Sequence, residues 1–487
     1  MSKSTSFFLL ALIPIVVLIL MLFLDVRFYG EDSSYGSNQM ALLCAGAVAG
    51  FIGIARGTSW RRIYDGIVES ISSAMGAIII LLLIGSLAGS WLISGVIPAM
   101  IYYGLEILNP TIFLFAATIV CAIISVATGS SWGTVATVGV ALIGIGTALG
   151  ISEGWIAGAI ISGAYFGDKM SPLSDTTNLA PAIAGTDLFT HIRHMVWTTG
   201  PSITIALIVF LIVGFTVDPS QASVPVDEMQ NVILEKFNIG WHLFLVPTIV
   251  IVFIAKKMPA IPALFIGSIL GCMFALIFQP QIIVELAGEG VSFGRAAYTV
   301  LINAMTISTE VVTSNNIVTD LLSTGGMNGM MNTIWLIICA LTFGGIMQAT
   351  GMLQRITGAI LSMVKSVASL VTSTAVTCVL FNILAADQYL AIVVPGKMYA
   401  DAYRDRDLAP ENLSRVLEDA GTVTSVLIPW NTCGVAQATV LGVATGVFWP
   451  YCIFNLVSPL MTILFGVMGW KMTKLPEQIG SDGAIED

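Results

Sequence analysis

Long apolar runs, interrupted by short polar stations, organise this chain. Phe7 to Leu24, Ala41 to Ile54, Ala77 to Leu92, Ile203 to Val217 and Trp241 to Ala255 carry few or no charges. They approach or exceed the roughly 17 to 25 residues that cross a bilayer as a helix. Allowing about 20 residues per span, the chain holds roughly 10 to 13 crossing segments, with further segments that enter and return. The pattern predicts an all-α polytopic membrane protein. The first run is long and lacks a small-residue cleavage site, so it reads as a retained helix rather than a signal peptide.

The most telling interruption lies between Gly163 and Pro181, where an apolar half of the chain becomes Gly-Asp-Lys-Met-Ser-Pro-Leu-Ser-Asp-Thr-Thr-Asn from Gly167 to Asn178. A second one, Glu418 to Gly434, echoes it. Two hydrophobic segments broken by Pro, Gly, carboxylate and hydroxyl residues at corresponding places in two halves point to a transporter binding site near the bilayer midplane. Ser94-Gly95 and Thr350-Gly351 lie equally far ahead of Ser131 and Asp387, and Asn178 and Asn431 take comparable places within the interruptions.

These repeats give a layout. Residues 1–69 hold N-terminal membrane helices. Residues 70–217 form a first repeat with a hairpin near 129–134 and a broken helix near 168–181. An external loop, helices and a connector fill 218–329, with Pro219 to Asn238 as the loop. A second repeat spans 330–470, with a hairpin near 382–389 and a broken helix near 419–434, and 471–487 is a cytoplasmic tail.

Composition changes little beyond confirming the class. Hydrophobic residues are 56% and charged residues 10% of 487, against roughly 25% charged in soluble domains. The formal charge of −10 comes largely from loop and tail carboxylates, and no basic patch suggests nucleic acid. Arg56, Arg61 and Arg62 follow the second run, and Lys256, Arg404, Arg406, Lys471 and Lys474 fall in similar places, so the positive-inside rule puts both termini in the cytoplasm. Seven cysteines stand singly in apolar segments and read as small hydrophobes rather than metal ligands or disulfides.

The chemistry concentrates at the interruptions. Pro172 breaks a helix near Ser171, and Ser174, Thr176, Thr177 and Asn178 compete for backbone groups. Irregular backbone at membrane depth is tolerated only where protein or a watery cavity surrounds it. Asp168, Ser171, Ser174, Asp175, Thr176, Thr177 and Asn178 offer the oxygen ligands that hard cations prefer. A carboxylate at this depth costs roughly 2.5 to 3.5 kcal/mol, which makes Asp175 and Asp387 the leading ion-binding candidates. Burial favours a protonated carboxyl and a bound cation favours the ionised form, so one site can hold a proton or a cation but disfavours both together. That competition is the physical basis of antiport.

Gly129-Ser130-Ser131-Trp132-Gly133-Thr134 reads as a re-entrant tip whose helix N-terminus and hydroxyls at Ser130, Ser131 and Thr134 face a ligand, or as a plain turn. Asp419, Thr422, Thr424, Ser425 and Asn431 complete the second interruption around Pro429. Lys169 and Arg415 flank the two breaks and either pair with a nearby carboxylate when no ion is bound or, the reading favoured here, snorkel to the cytoplasmic face. His191 and His194 read as a solvated helix-end cluster, and Glu310 as an interfacial or pathway carboxylate.

Ser130 to Thr137, the long motif Gly163 to Pro181, His191-Ile-Arg-His-Met195 and Pro429-Trp-Asn-Thr-Cys-Gly434 closely resemble the NhaC family of Na⁺/H⁺ antiporters. The resemblance covers nearly the whole chain. It implies a prokaryotic inner-membrane protein of the ion-transporter superfamily, with two inverted repeats, each carrying a re-entrant hairpin and a broken helix, and often a homodimer. It implies exchange of outward Na⁺ (or Li⁺) for inward H⁺ by alternating access, with no cofactor beyond the transported ions. Na⁺ would sit at Asp175, Thr176, Asn178 and Asp387, with Asp168 and Asp419 supporting or relaying protons and Ser130, Ser131, Thr134, Ser174, Thr177, Thr424 and Asn431 completing the site. The family also contains malate and lactate exchangers, although no Arg in either break could grip a carboxylate bidentately. An ion channel is the alternative of another class. No enzyme motif such as H-E-x-x-H or G-x-S-x-G occurs.

Overall fold

A computed structural model describes residues 3–29, 36–107, 109–216, 226–256 and 258–475, and helices account for nearly all of them. Among the described residues nine helices are long and apolar enough to cross a membrane, or up to 11 if each of two sharply bent pairs is one span. The expected external loop is only partly a loop: residues 217–225 lie outside the described set, while Val226–Lys236 is a helix that buries Met229, Val232 and Ile233. The connector holds the Phe293–Thr306 helix and a two-stranded antiparallel pair, Thr309–Glu310 with Ser323–Thr324.

Two halves repeat one design. The first runs Met75–Ile93, Val96–Ile107, Pro110–Thr128, a compound helix from Ser131 to Ala148, Glu153–Met170, Asp175–Ala184 and Leu188–Gly214. The second runs Met331–Ala349, Met352–Leu361, Val367–Leu384, Gln388–Arg404, then Pro410–Val416 continuing as a π-helix over Leu417–Thr422, Thr432–Leu441 and finally Ile453–Met468.

The backbone punctuation matches residue for residue. Gly95 and Gly351 both take positive φ (80° and 73°) after the opening helix, with 351 − 95 = 256. Further on, Gly129 and Ala386, Ser130 and Asp387, Ser174 and Asn431, and Gly185 and Gly442 correspond, with 386 − 129 = 257 and the same difference for the other three pairs. The second repeat therefore has one extra residue between Gly351 and Ala386. This corrects the sequence alignment by one place at the tip: Ser130, not Ser131, corresponds to Asp387. It also pairs Ser174, rather than Asn178, with Asn431.

Each tip is built the same way. A helix ends on a left-handed residue, Gly129 (φ 69°) or Ala386 (φ 57°), and a polar side chain then caps the next helix. Ser130 Oγ accepts from Gly133 N at 3.0 Å, and Asp387 Oδ1 accepts from Leu390 N at 2.9 Å. A Cβ on Gly129 would lie 2.6 Å from the carbonyl carbon of Leu173, so only glycine lets the first tip lie this close to the first break.

Close packing fixes where that break sits. The Pro110–Thr128 and Glu153–Met170 helices touch through Gly163 and Gly167, whose hypothetical Cβ atoms would fall 2.2 and 2.4 Å from the carbonyl oxygens of Thr118 and Ala122. Small residues four apart let membrane helices approach in this way. Thr118 Oγ1 and Ser125 Oγ then donate to the carbonyls of Ala159 (3.1 Å) and Ala164 (2.6 Å). The apolar core spreads from this pair to Phe210 and Phe454, with a second centre around Ile337, Phe343 and Phe381.

Candidate ion-binding site

Tips and breaks meet at a cavity of about 840 Å³. The first tip contributes Gly129, Ser130 and Trp132; the first break contributes Asp168, Pro172, Asp175 and Asn178; the second tip contributes Asp387, Gln388 and Tyr389. Thr432 arrives from the second break. Three carboxylates thus face one space, and among the described residues neither Lys nor Arg lines it.

The first break is held open by its own side chains. Pro172 cannot extend the Glu153–Met170 helix. Ser174 caps the following helix, its Oγ accepting from Thr177 N at 3.4 Å. Thr177 Oγ1 donates back to the carbonyls of Asp168 and Lys169 (3.2 and 3.1 Å), and Asn178 Nδ2 donates to those of Pro172 and Ser174 (3.0 and 2.6 Å). The backbone groups freed by the break are therefore partly satisfied from within.

Asp175 starts the second segment and is exposed into the cavity. Its Oδ1 accepts from Thr176 N at 3.0 Å, and its Oδ2 accepts a hydrogen bond from the Tyr389 hydroxyl across the repeat boundary. Asp387 is buried at 2% exposure with its carboxylate at the cavity wall. Asp168 Oδ2 accepts from both the backbone N–H and the hydroxyl of Ser131 (3.1 and 2.7 Å), whereas its Oδ1 has no hydrogen-bond partner among the described residues.

The other sequence candidates stand behind this surface. Thr134 Oγ1 donates to Ser130 O, Thr424 Oγ1 to Ala420 O, and Asn431 Nδ2 to Asn382 O and Oδ1. Thr176 turns away from the cavity and donates from its hydroxyl to Glu418 Oε1 at 3.1 Å. Asp419 is fully buried and pairs with Lys169. Glu310 is exposed on its strand and lines neither of the two larger cavities.

Three favoured readings are corrected. Lys169 does not snorkel: it is 0% exposed and ion-paired, which is the alternative the sequence left open. Arg415 is also buried, donating to the carbonyl of Lys471 at 3.2 Å. His191 and His194 are buried rather than solvated, with His191 Nδ1 2.8 Å from Ser414 Oγ. Lys169 and His191 find partners on the second repeat, Asp419 and Ser414, and Arg415 finds the segment after the last helix, contacts that local spacing does not reveal. Sequence reasoning also left Tyr389, Gln388, Trp132 and Glu418 out of the site. Gln388, Trp132 and Glu418 adjoin residues it did name, and that adjacency is the signal that would have found them; Tyr389 lies two places beyond Asp387.

A smaller cavity of about 590 Å³ lies at the opposite ends of the same helices. The Thr432–Leu441 helix touches the larger cavity at Thr432 and the smaller one at Thr439 to Leu441, a separation of about 10 to 15 Å at 1.5 Å per residue. The compound helix likewise has Trp132 at one cavity and Val140, Gly144 and Thr147 at the other.

The fold and this cavity define a multi-pass membrane transporter. The model of the Na⁺/H⁺ antiporter family matches residues 163–470, and the chain belongs to that family. It is 37% identical over 413 residues to the Na⁺/H⁺ antiporter NhaC of Alkalihalophilus pseudofirmus, covering 84% of this chain and 86% of that one. It is 37% identical over 432 residues to the malate-2H⁺/Na⁺-lactate antiporter of Bacillus subtilis, covering 88% and 89%. The arginine/ornithine antiporter ArcD of Halobacterium salinarum is 36% identical over 480 residues, covering 97% and 95%.

Proposed function

We propose that this protein exchanges Na⁺ for H⁺ across the prokaryotic inner membrane by alternating access, with Asp175 and Asp387 as the carboxylates that take either ion. The carrying observation is the convergence of Asp168, Asp175 and Asp387 from two repeats on one cavity whose described lining holds no Lys or Arg. Carboxylates gathered on one cavity from two repeats attract a cation, and a proton competes with it for the same oxygens. Asp175, Asp387, Asn178 and break carbonyls supply the hard oxygen ligands that Na⁺ requires. Ser131 fixes Asp168 beside them. The two cavities at opposite ends of shared helices supply the two access routes, and the inverted relation of the repeats is the symmetry that would interchange them. A homodimer, as implied by the family resemblance, is the expected assembly.

Carboxylate substrates such as malate and lactate fit this lining poorly, since no cationic side chain among the described residues lines it and three carboxylates repel an anion. An organic cation is the better second reading: Trp132 and Tyr389 flank the carboxylates, and aromatic faces favour ammonium or guanidinium groups. Everted vesicles offered Na⁺, Li⁺, K⁺, malate, lactate and arginine separately test both readings. Dissipation of a proton gradient by Na⁺ alone supports ion exchange; a response that requires an organic solute contradicts it.

A further inference from the structure

Each tip is tied to the break of its own repeat by side-chain hydrogen bonds at corresponding places. Ser125 Oγ donates to Ala164 O at 2.6 Å and Asn382 Nδ2 donates to Gly421 O at 2.7 Å, with 382 − 125 and 421 − 164 both equal to 257. The carbonyls of Val126 and Ile383, also 257 apart, accept from Ser171 Oγ at 2.8 Å and from Trp430 Nε1 at 2.7 Å, one donor from each break. Tip and break of one repeat therefore form one unit, and the larger cavity lies on the seam between two such units. Among the described bonds across that seam, Thr176 to Glu418 and Lys169 to Asp419 lie behind the cavity, whereas Tyr389 and Asp175 both line it.

Tyr389 stands in the first turn of Gln388–Arg404, and its hydroxyl reaches Asp175 at the start of Asp175–Ala184. Both oxygens of Asp175 are then engaged, Oδ1 by the Thr176 N–H and Oδ2 by the phenol. The first donor is fixed in the backbone. The second is a side chain that can swing.

We propose that Tyr389 is a positioning residue, which holds Asp175 across the seam while the site is empty and which Na⁺ must displace. The inference rests on the cavity reading above. A phenol O–H turns its positive end to the carboxylate, where a bound cation would otherwise lie. Na⁺ held by both oxygens of Asp175 needs the electron pair that the phenol occupies, so ion and hydroxyl compete for Oδ2. Entry of Na⁺ turns the hydroxyl away and opens this link between the units; departure of Na⁺ lets it return to the oxygen left behind. The carboxylate is then not left bare at membrane depth. A hydrogen bond to a charged acceptor shifts an equilibrium by about tenfold or more, so the hydroxyl weakens Na⁺ binding by that factor and speeds release.

The experiment uses the full-length protein in proteoliposomes, with folding followed by monodisperse elution. Tyr389→Phe keeps the ring and deletes the hydroxyl. The Na⁺ concentration for half-maximal proton flux should fall by about tenfold, and the maximal flux by about threefold or more as release slows. A half-maximal concentration within about twofold of the parent, or above it, would overturn the proposal; a rise would mark the hydroxyl as a Na⁺ ligand instead. Thermal midpoints supply a second readout. Tyr389→Phe should melt below the parent in choline buffer and level with it at saturating Na⁺, because only the empty site uses the bond. An equal deficit in both buffers is what a merely structural tyrosine gives, and it contradicts the proposal. Tyr389→Leu takes the same two measurements if the Phe variant does not fold. Failure of the cavity reading is distinct: Asp175→Asn would then keep the parent's Na⁺ dependence, whatever Tyr389→Phe does.

Discussion

The two repeats share a backbone and differ in their charges. Left-handed Gly129 answers Ala386, capping Ser130 answers Asp387, and capping Ser174 answers Asn431. At corresponding places the chemistry diverges: Asp175 matches Thr432, and Asp168 matches Ser425. The contact between tip and break is kept with exchanged partners, Ser131 donating to Asp168 in the first repeat and Ser425 donating to Gln388 at 3.4 Å in the second. Duplication therefore supplies the geometry of two tips and two breaks. Unequal placement of carboxylates gives that geometry the proposed single ion site, with two carboxylates from the first break and one from the second tip.

The tips themselves give the largest contrast. Gly129→Ala adds a left-handed strain of about 1–2 kcal/mol and drives a methyl into the Leu173 backbone, so it should prevent a stable fold or shift the thermal midpoint sharply downward. Ala386→Gly relieves the same conformation and should raise stability by up to about 1 kcal/mol. Equal effects would mean that the tips are not equivalent.

The caps separate scaffold from charge. Asp387→Asn keeps a good N-cap and removes a carboxylate, so the Na⁺ concentration for half-maximal flux should rise by about tenfold or more without loss of stability. Ser130→Ala should do the reverse, lowering stability by about 1 kcal/mol with a much smaller effect on Na⁺. Comparable Na⁺ shifts in the two variants would break the proposed asymmetry. Ser131→Ala leaves Asp168 Oδ2 with only its backbone donor and should destabilise by about 1–3 kcal/mol, read by thermal denaturation.

The smallest effect is at the membrane surface. Asp187 caps Leu188–Gly214, and hydrogen bonds from Thr190 hold its carboxyl below the ordinary range. A depressed carboxyl stabilises fully above its unfolded value and loses that contribution as pH falls through the folded one. Asp187→Ala should flatten a small acid-side loss of stability, and an unchanged acid profile would remove this role.

The breaks and tips were legible because Pro172, Pro429, Gly129 and the Ser130–Ser131 pair act locally on backbone conformation. Asp168, Asp175, Asn178, Ser130 and Asp387 were picked out by their polarity in apolar runs, and the fold does bring all five to one cavity. The partners of those residues were not legible. The Tyr389 contact with Asp175 and the Lys169 contact with Asp419 join positions far apart in sequence, and no local rule distinguishes a snorkelling lysine from a buried one. Nor does apolar periodicity distinguish the π-helical turns at Val135–Gly139 and Leu417–Thr422 from ordinary helix.

The most direct test is Asp175→Asn in proteoliposomes under an imposed pH gradient. Loss of Na⁺-dependent proton flux by about a hundredfold, in protein that still elutes as a folded species, is the predicted result. Undiminished flux would contradict the claim that one carboxylate-lined cavity holds Na⁺ and H⁺ in turn.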